Sequence, residues 1–274
     1  MKTIIITGAS GSVGEAASRI MAQEGWHVVM ACRNMEKGKV VKERIKKELS
    51  NYPSFKGESG RVLELQEVEM SSPDSIHAFA KRLEDRQIDA LFNNAGIMCR
   101  HFSRTDEGIE RTMAVNYLGT ALLTDLILPL MPVGSNIVNM VSLTTRFARL
   151  DENWRQWDEH HFGQLSTYGS SKLAVLYHSI ALARRHPELH INVSDPGIVN
   201  SNMISMDRWY DSLADIFFRP FIKTPEQGAR SAINAIHSTE TLRYYVGNKS
   251  KPIASRYLDS PLVEQLWMQL NTKP

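Results

Sequence analysis

Lys2-Thr3-Ile4-Ile5-Ile6-Thr7-Gly8-Ala9-Ser10-Gly11-Ser12-Val13-Gly14 follows directly on Met1, and its reading decides the fold. The three isoleucines make an apolar run of the length of a buried strand. The glycine-bearing stretch after them is a turn into a helix expected over 15–24 and closed by Gly25. Outward from this unit the same alternation returns. Strands are expected at 27–31, 62–68, 90–92, 137–141, 191–193 and 243–246. Helices are expected at 36–49, from Pro73 to about Leu83, and at 107–128, 168–185 and 225–238.

Strands that alternate with helices pair in parallel through crossovers. The expected fold is therefore α/β, a single Rossmann-type doubly wound sheet of about seven mainly parallel strands flanked by helices. One domain is expected over 1–274. Irregular insertions near 143–166 and 200–222 follow the fifth and sixth strands, at the carboxyl ends where such sheets bind ligands, and are read as substrate loops.

Composition narrows the class. Of 274 residues, 42% are hydrophobic and 23% charged, with a net charge of +2, a globular balance that excludes a disordered chain. The most basic stretch, 37–47, is interleaved with Glu43 and flanked by Glu36 and Glu48, so it reads as a solvated helix face and no nucleic-acid partner is expected. Cys32 and Cys99 form neither a disulfide framework nor a zinc motif, and His160 and His161 read as loop residues, so no metal is expected. No leader is visible and no apolar run approaches a membrane span, so a cytoplasmic chain without an integral membrane segment is expected.

The first turn can carry chemistry. Glycines at 8, 11 and 14 let backbone amides approach a pyrophosphate at a helix N-terminus. Thr7, Gly8, Ser10, Gly11, Ser12, Val13 and Gly14 are the candidate phosphate-binding residues, although a plain tight turn has the same letters. The second strand ends Ala31-Cys32-Arg33-Asn34. No acid stands there to take the ribose 2′-hydroxyl of NAD. Arg33 instead offers a planar fork suited to the 2′-phosphate of NADP, or is a surface arginine.

Tyr168-Gly169-Ser170-Ser171-Lys172 places a phenol and an ammonium on one helical face. A nearby cation lowers a phenol's pKa from near 10, which fits a general acid or base. Tyr52 with Lys56 and Tyr245 with Lys249 show the same spacing. The first copy holds Pro53 in a polar loop and the second holds Gly247, so only Tyr168 opens a helix after the fifth strand. Ser142 ends that strand. Its hydroxyl can donate to an oxygen that gains charge, or cap the following loop.

In this order the motifs resemble the classical short-chain dehydrogenase/reductase family over nearly the whole chain. The Ala-Cys-Arg ending and the long interval between Ser142 and Tyr168 are similar to its retinol-dehydrogenase-like group. Thr7, Gly8 and Gly14 match the family's TGxxxGxG turn, with Ser12 at the middle glycine and Gly11 one position early. As written the turn also fits the TGxxGxxG of extended members such as nucleotide-sugar epimerases. Asn93-Asn94-Ala95-Gly96 matches NNAG, which implies that Asn94, Ala95 and Gly96 line the adenine-ribose side. Glu69 stands where the family has an aspartate that contacts adenine. Asn116 matches the asparagine whose backbone carbonyl holds a relay water. Pro196-Gly197-Ile198-Val199-Asn200-Ser201 resembles PGxVxT, which implies contacts of Pro196, Gly197, Val199 and Ser201 with the nicotinamide. Asp195 is assigned no role.

The resemblance implies hydride transfer between NADP(H) and a small-molecule carbonyl or alcohol. Asn116, Ser142, Tyr168 and Lys172 would be catalytic, and Tyr168 and Lys172 would also hold the nicotinamide ribose. The apolar segment 203–221, with Trp209, Tyr210, Leu213, Phe217 and Phe218, suggests a lipophilic substrate. Members commonly form homodimers or homotetramers through the helices bearing Asn116 and Tyr168. An extended-type epimerase and a non-catalytic NADP(H)-sensing protein are the alternatives.

Overall fold

The computed structural model describes residues 1–52, 62–199 and 223–271. Ser201 and the apolar segment 203–221 lie outside the described residues. Strands are β1 (Thr3–Thr7), β2 (His27–Cys32), β3 (Leu63–Glu67), β4 (Ala90–Asn93), β5 (Asn136–Met140), β6 (His190–Asp195), β7 (Arg243–Val246) and β8 (Lys249–Pro252). They form one sheet in the order β3-β2-β1-β4-β5-β6-β7-β8. All neighbours are parallel except β7 with β8. The doubly wound class is as expected, and the strand count is eight rather than about seven. The extra strand closes a hairpin on β7 through Gly247 (φ +58°) and Asn248, a glycine-asparagine pair suited to such turns.

Helices are α1 (Ser12–Gln23), α2 (Met35–Leu49), α3 (Pro73–Lys81), α4 (Arg111–Leu130), α5 (Gln164–Arg185), α6 (Pro225–Ile236), α7 (Ser255–Leu258) and α8 (Leu262–Asn271). The sheet needs both faces covered because its inner strands are apolar throughout. Ile4 and Ile6 pack toward α1, α2 and α6, while Ile5 packs toward α3 and α4. Chain direction reverses in strand order between β1 and β4, which opens a crevice at their carboxyl ends.

Two features shape the site. First, α4 contains a π turn, Ala114–Leu118, around Asn116. By length and composition this helix could cross a membrane, contrary to the expectation that none is long and apolar enough. Burial of Met113, Val115, Tyr117, Leu123 and Ile127 makes it a core helix. Second, α5 is buried on every side from Gly169 to Ala183. Its outer face is covered by Trp154, Val263, Leu266 and Trp267. Trp154 Nε1 donates to Gln269 Oε1 at 2.7 Å, and Gln269 Nε2 donates to Glu152 O at 2.8 Å. The middle of the 143–166 segment thus contributes Trp154 and Trp157 to the core. The face of α5 expected to meet another subunit is occupied within one chain.

Candidate active site

The phosphate turn is built by close backbone approach. Gly8 has φ +63°, and a Cβ there would lie 2.9 Å from Ala95 Cα. A Cβ on Gly14 would lie 2.3 Å from Gly8 O. Gly11 is the N-cap of α1 and offers no side-chain acceptor to the first-turn amides, which suits an anion. Ser10, Gly11, Ser12 and Val13 are half-buried at the crevice. A cradle that a Cβ would fill, at a helix N-terminus and at the sheet's switch point, fits a dinucleotide pyrophosphate.

Thr7 departs from its expected role as a phosphate contact. It is 0% exposed, and its Oγ1 accepts from Asn94 N at 3.0 Å and Ala95 N at 2.9 Å. It staples β1 to the turn after β4 and has no surface left for a ligand. Asn94 answers with Nδ2 donating to Thr7 O at 2.8 Å and Gly8 O at 3.3 Å.

At the adenosine end, Arg33 is exposed and its Nε lies 3.6 Å from Glu69 Oε2. Glu69 Oε1 accepts from Ser71 N at 3.1 Å and Ser71 Oγ at 2.8 Å. The Glu69 carboxylate is therefore engaged in its own turn and with Arg33, so an adenine contact would have to share it. Lys37 is a residue the sequence reading missed. Asn34 caps α2 by accepting from Lys37 N at 2.8 Å, and the Lys37 charge reaches the buried Cys32 thiol, to which Ser10 also hydrogen-bonds. Arg33 and Lys37 thus bracket the end of β2. The visible signal was a second basic residue in the first turn of the next helix.

On the other side of the crevice, Ser142 follows β5 and caps the loop, one of its two readings. Its Oγ accepts from Thr144 N at 3.2 Å, capping the turn Leu143–Arg146, and it hydrogen-bonds the half-buried Tyr168 phenol. Lys172 is 2% exposed. Its Nζ donates to Met140 O at 3.0 Å and lies 5.9 Å from the Tyr168 ring centroid. Gly96 makes room for it, since a Cβ there would lie 3.1 Å from Lys172 Nζ and 3.3 Å from Asn116 Oδ1. Asn116 Oδ1 accepts from Ile97 N at 2.8 Å, while Nδ2 donates to Ile97 O and Ser171 Oγ, both at 2.9 Å. With the side chain so engaged, the backbone of the π turn is what Asn116 can offer to a water.

Electrostatics bring a correction. Burial pulls the Lys172 ammonium down to about 8. Burial, and then the charge of Asp195, push the Tyr168 phenol up to about 12, with the Ser142 hydrogen bond opposing. The expected lowering by Lys172 does not hold in the protein alone. The ammonium is held at Met140 O beside the ring, and it is itself desolvated.

The Pro196–Gly197 turn follows β6. Gly197 has φ +71°, and its amide donates to Asp195 Oδ1 at 2.8 Å. Pro196 and Gly197 are half-buried, whereas Val199 is buried and packs toward Gly228, where a Cβ would lie 2.6 Å from Val199 Cγ2. Only the Val199 backbone remains for a cofactor. Asp195, given no role from sequence, is buried and accepts from Tyr244 Oη at 2.9 Å. No cluster of potential metal ligands occurs among the described residues.

Comparison with known proteins agrees with this geometry. The family model described as short chain dehydrogenase matches residues 2–209. Human Retinol dehydrogenase 11 is 34% identical over 256 residues, covering 90% of this chain and 76% of that protein. A protein from Mycobacterium Paratuberculosis of known structure has a TM-score of 0.75 at 24% identity, covering 98% of this chain and 93% of its own. A short chain dehydrogenase from Escherichia coli CFT073, complexed with NADPH, has a TM-score of 0.65 at 19% identity, covering 90% and 97%. The two structures speak for the fold, and the sequence matches carry the descent: the chain belongs to the short chain dehydrogenase family of oxidoreductases, in its retinol-dehydrogenase-like group.

Proposed function

We propose that this protein transfers a hydride between NADP(H) and a lipophilic carbonyl or alcohol. The observation that carries the reading is the Ser142–Tyr168 hydrogen bond, with Lys172 packed beside the Tyr168 ring. NADP is favoured by Arg33 and Lys37 at the end of β2, where no acid stands to meet a ribose 2′-hydroxyl. The structural neighbour complexed with NADPH supports the same choice. A lipophilic substrate is favoured by the apolar composition of 203–221 and by relatives named retinol dehydrogenases.

When bound, NADP(H) supplies or accepts the hydride. The amides of Ser12, Val13 and Gly14 would hold its pyrophosphate. Lys172 and Tyr168 would hold the nicotinamide ribose, and the backbones of Gly197 and Val199 would contact the nicotinamide. Ser142 donates to the substrate oxygen. In reduction Tyr168 gives its phenolic proton to that oxygen, and in oxidation it takes the proton back. The turn after β1 alone allows an epimerase, but the retinol-dehydrogenase-like relatives do not favour one.

The test is a panel of carbonyls and alcohols with both dinucleotides, run on wild type and Tyr168→Phe. Wild type should turn over an apolar member of the panel. The variant should keep NADPH affinity and lose roughly 10²–10⁴-fold in turnover, the usual worth of a positioned proton donor. Firm NADPH binding without turnover of any substrate would overturn the enzymatic reading in favour of a cofactor sensor.

A further inference from the structure

The hairpin that ends the sheet gathers cations that the proposed reaction does not use. Gly247 and Asn248 turn β7 back into β8, and the antiparallel register sets Lys251 opposite Tyr244. Lys251 Nζ lies 5.3 Å from the centroid of that ring. The chain then buries Ile253 and enters α7. There Arg256 lies over the Tyr257 ring, with Cζ 4.6 Å from its centroid, and its Nη2 donates to Tyr257 Oη at 2.7 Å. Tyr257 meets Tyr177 of α5 edge-on, 6.4 Å between centroids. Facing the hairpin is Arg146, at the end of the turn that Ser142 caps. Between them opens a pocket of about 260 Å³, whose lining includes Arg146, Tyr244, Lys251, Ile253, Arg256 and Tyr257.

The pocket has three cations, and no acid lines it among the described residues. Arg146, Lys251 and Arg256 are exposed, and none forms an ion pair with a described residue. The acids of this region are engaged elsewhere. Glu240 pairs with Arg243 at 3.4 Å, and Asp195 is buried behind Tyr244, accepting from its Oη at 2.9 Å. Three like charges around one opening repel one another, and an anion set among them relieves that repulsion. A carboxylate brings one negative charge and a phosphate monoester close to two, so the phosphate answers three cations better. Guanidinium forks also match phosphate oxygens in shape. Between the cations the walls are tyrosine rings and Ile253, which favour an apolar body. The volume lies just under the range of about 300–1,000 Å³ for drug-sized ligands, so that body is small.

We propose that this pocket binds a phosphate monoester with a small apolar body, its phosphate among Arg146, Lys251 and Arg256 and its body against Tyr244 and Tyr257. No residue of the cofactor cradle or the proton-transfer group lines the pocket, so the proposal goes beyond hydride transfer and stands without it. The pocket does border the Ser142 turn. Thr145 lines it, and Thr145 N and Oγ1 both donate to Ser142 O, at 3.0 and 2.8 Å.

The test is calorimetric titration of phenyl phosphate into the full chain with NADPH at saturation, so that the turn after β1 is already occupied. Phenyl phosphate should bind more tightly than inorganic phosphate, which lacks the body, and than benzyl alcohol, which lacks the charge. Lys251→Gln and Arg256→Gln should each weaken it about tenfold, the lower end for a hydrogen bond to a charged group, and Lys251→Arg should retain it. Both side chains are exposed, so the variants should keep the wild-type Tm and NADPH affinity. Phosphatidylcholine vesicles with and without phosphatidic acid identify the source of the phosphate. Binding to the acidic vesicles that is lost in Lys251→Gln assigns it to a lipid headgroup, and binding of phenyl phosphate alone assigns it to a soluble ester. Binding of neither, or binding that neither variant weakens, would overturn the proposal, and equal affinity for inorganic phosphate would refute the role of the rings. Failure to bind NADPH would instead defeat the cofactor reading, while the effects of Lys251→Gln and Arg256→Gln would still report on this pocket.

Discussion

The proposed preference for NADP(H) turns on Arg33, and in the structure that guanidinium is already paired. Its Nε lies 3.6 Å from Glu69 Oε2, with the two side chains 60% and 29% exposed. A 2′-phosphate at the end of β2 would have to compete with that pair or share the guanidinium with it. An exposed ion pair is worth about 0–1 kcal/mol. A hydrogen bond to a charged group is worth about 1.5–3 kcal/mol, and solvent exposure puts Arg33 at the lower end. Arg33→Ala should therefore weaken NADPH by about tenfold, from the rule that 1.4 kcal/mol is a factor of ten, and leave NADH nearly unchanged. Glu69→Gln removes the competitor and should tighten NADPH by up to about fivefold, the equivalent of roughly 1 kcal/mol. Lys37 supplies a second cation, so Arg33→Ala should reduce the preference for NADPH without reversing it. Titration of intrinsic or nicotinamide fluorescence with each dinucleotide gives the constants. Equal losses for NADPH and NADH would refute the assignment of Arg33 to the phosphate. A loss of NADPH affinity in Glu69→Gln would refute the competition and return the carboxylate to the adenine.

Two further outcomes follow from the buried faces of α5. Lys172 titrates near 8 in the fold against 10.5 in an open chain. The unfolded state therefore binds the extra proton between those values, and stability rises with pH across that window. Wild type should gain on the order of 2–3 kcal/mol relative to Lys172→Met between pH 7 and pH 10.5, read from urea unfolding of the cofactor-free proteins. A constant difference between them would show that the ammonium is not desolvated. Trp154→Ala should cost about 3–5 kcal/mol, the range for removing a fully buried aromatic side chain. Thermal melts should show the loss with little change in KM, whereas a raised KM with an unchanged Tm would return 143–166 to the substrate.

The inner sheet was legible because a strand buried on both faces is an uninterrupted apolar run, as at Ile4–Ile6, and because the glycine turn follows it directly. The candidate proton-transfer residues could be picked out by order: Ser142 at a strand end, then Tyr168 opening a helix, then Lys172 one turn on. What escaped depends on partners distant in sequence. The eighth strand has four exposed residues and no apolar pattern, so only its turn could announce it. Helix α8 carries Leu262, Leu266 and Leu270 at helical spacing, but that stripe has meaning only once α5 presents a second apolar face. Thr7 matches a ligand-contact motif and is nevertheless consumed by Asn94 and Ala95. The direction of the Tyr168 shift escaped because the local sequence shows its cation but neither the burial that dominates the shift nor the charge of Asp195 that adds to it.

The burial of α5 also explains how the site is held together. A helix that carries both Tyr168 and Lys172 has to be fixed in rotation and in height against β5. Lys172 Nζ binds Met140 O, Asn139 Nδ2 donates to Ser179 Oγ at 2.8 Å, and Asn93 Nδ2 joins Asn139 to Thr124 of α4. Ser171 is tied to Asn116, and Ser170 to the carbonyl of Arg149. These bonds act only if water stays off the helix, because an exposed polar ladder can exchange its partners for solvent. Where such a helix meets a second subunit, that subunit can exclude the water. Here α8 and the Trp154 turn do so from within the chain, through Val263, Leu266 and the Trp154–Gln269 hydrogen bond. The helix that carries the proposed proton-transfer pair is accordingly backed by the C-terminal helix, more than fifty residues past the last side chain expected to touch the cofactor.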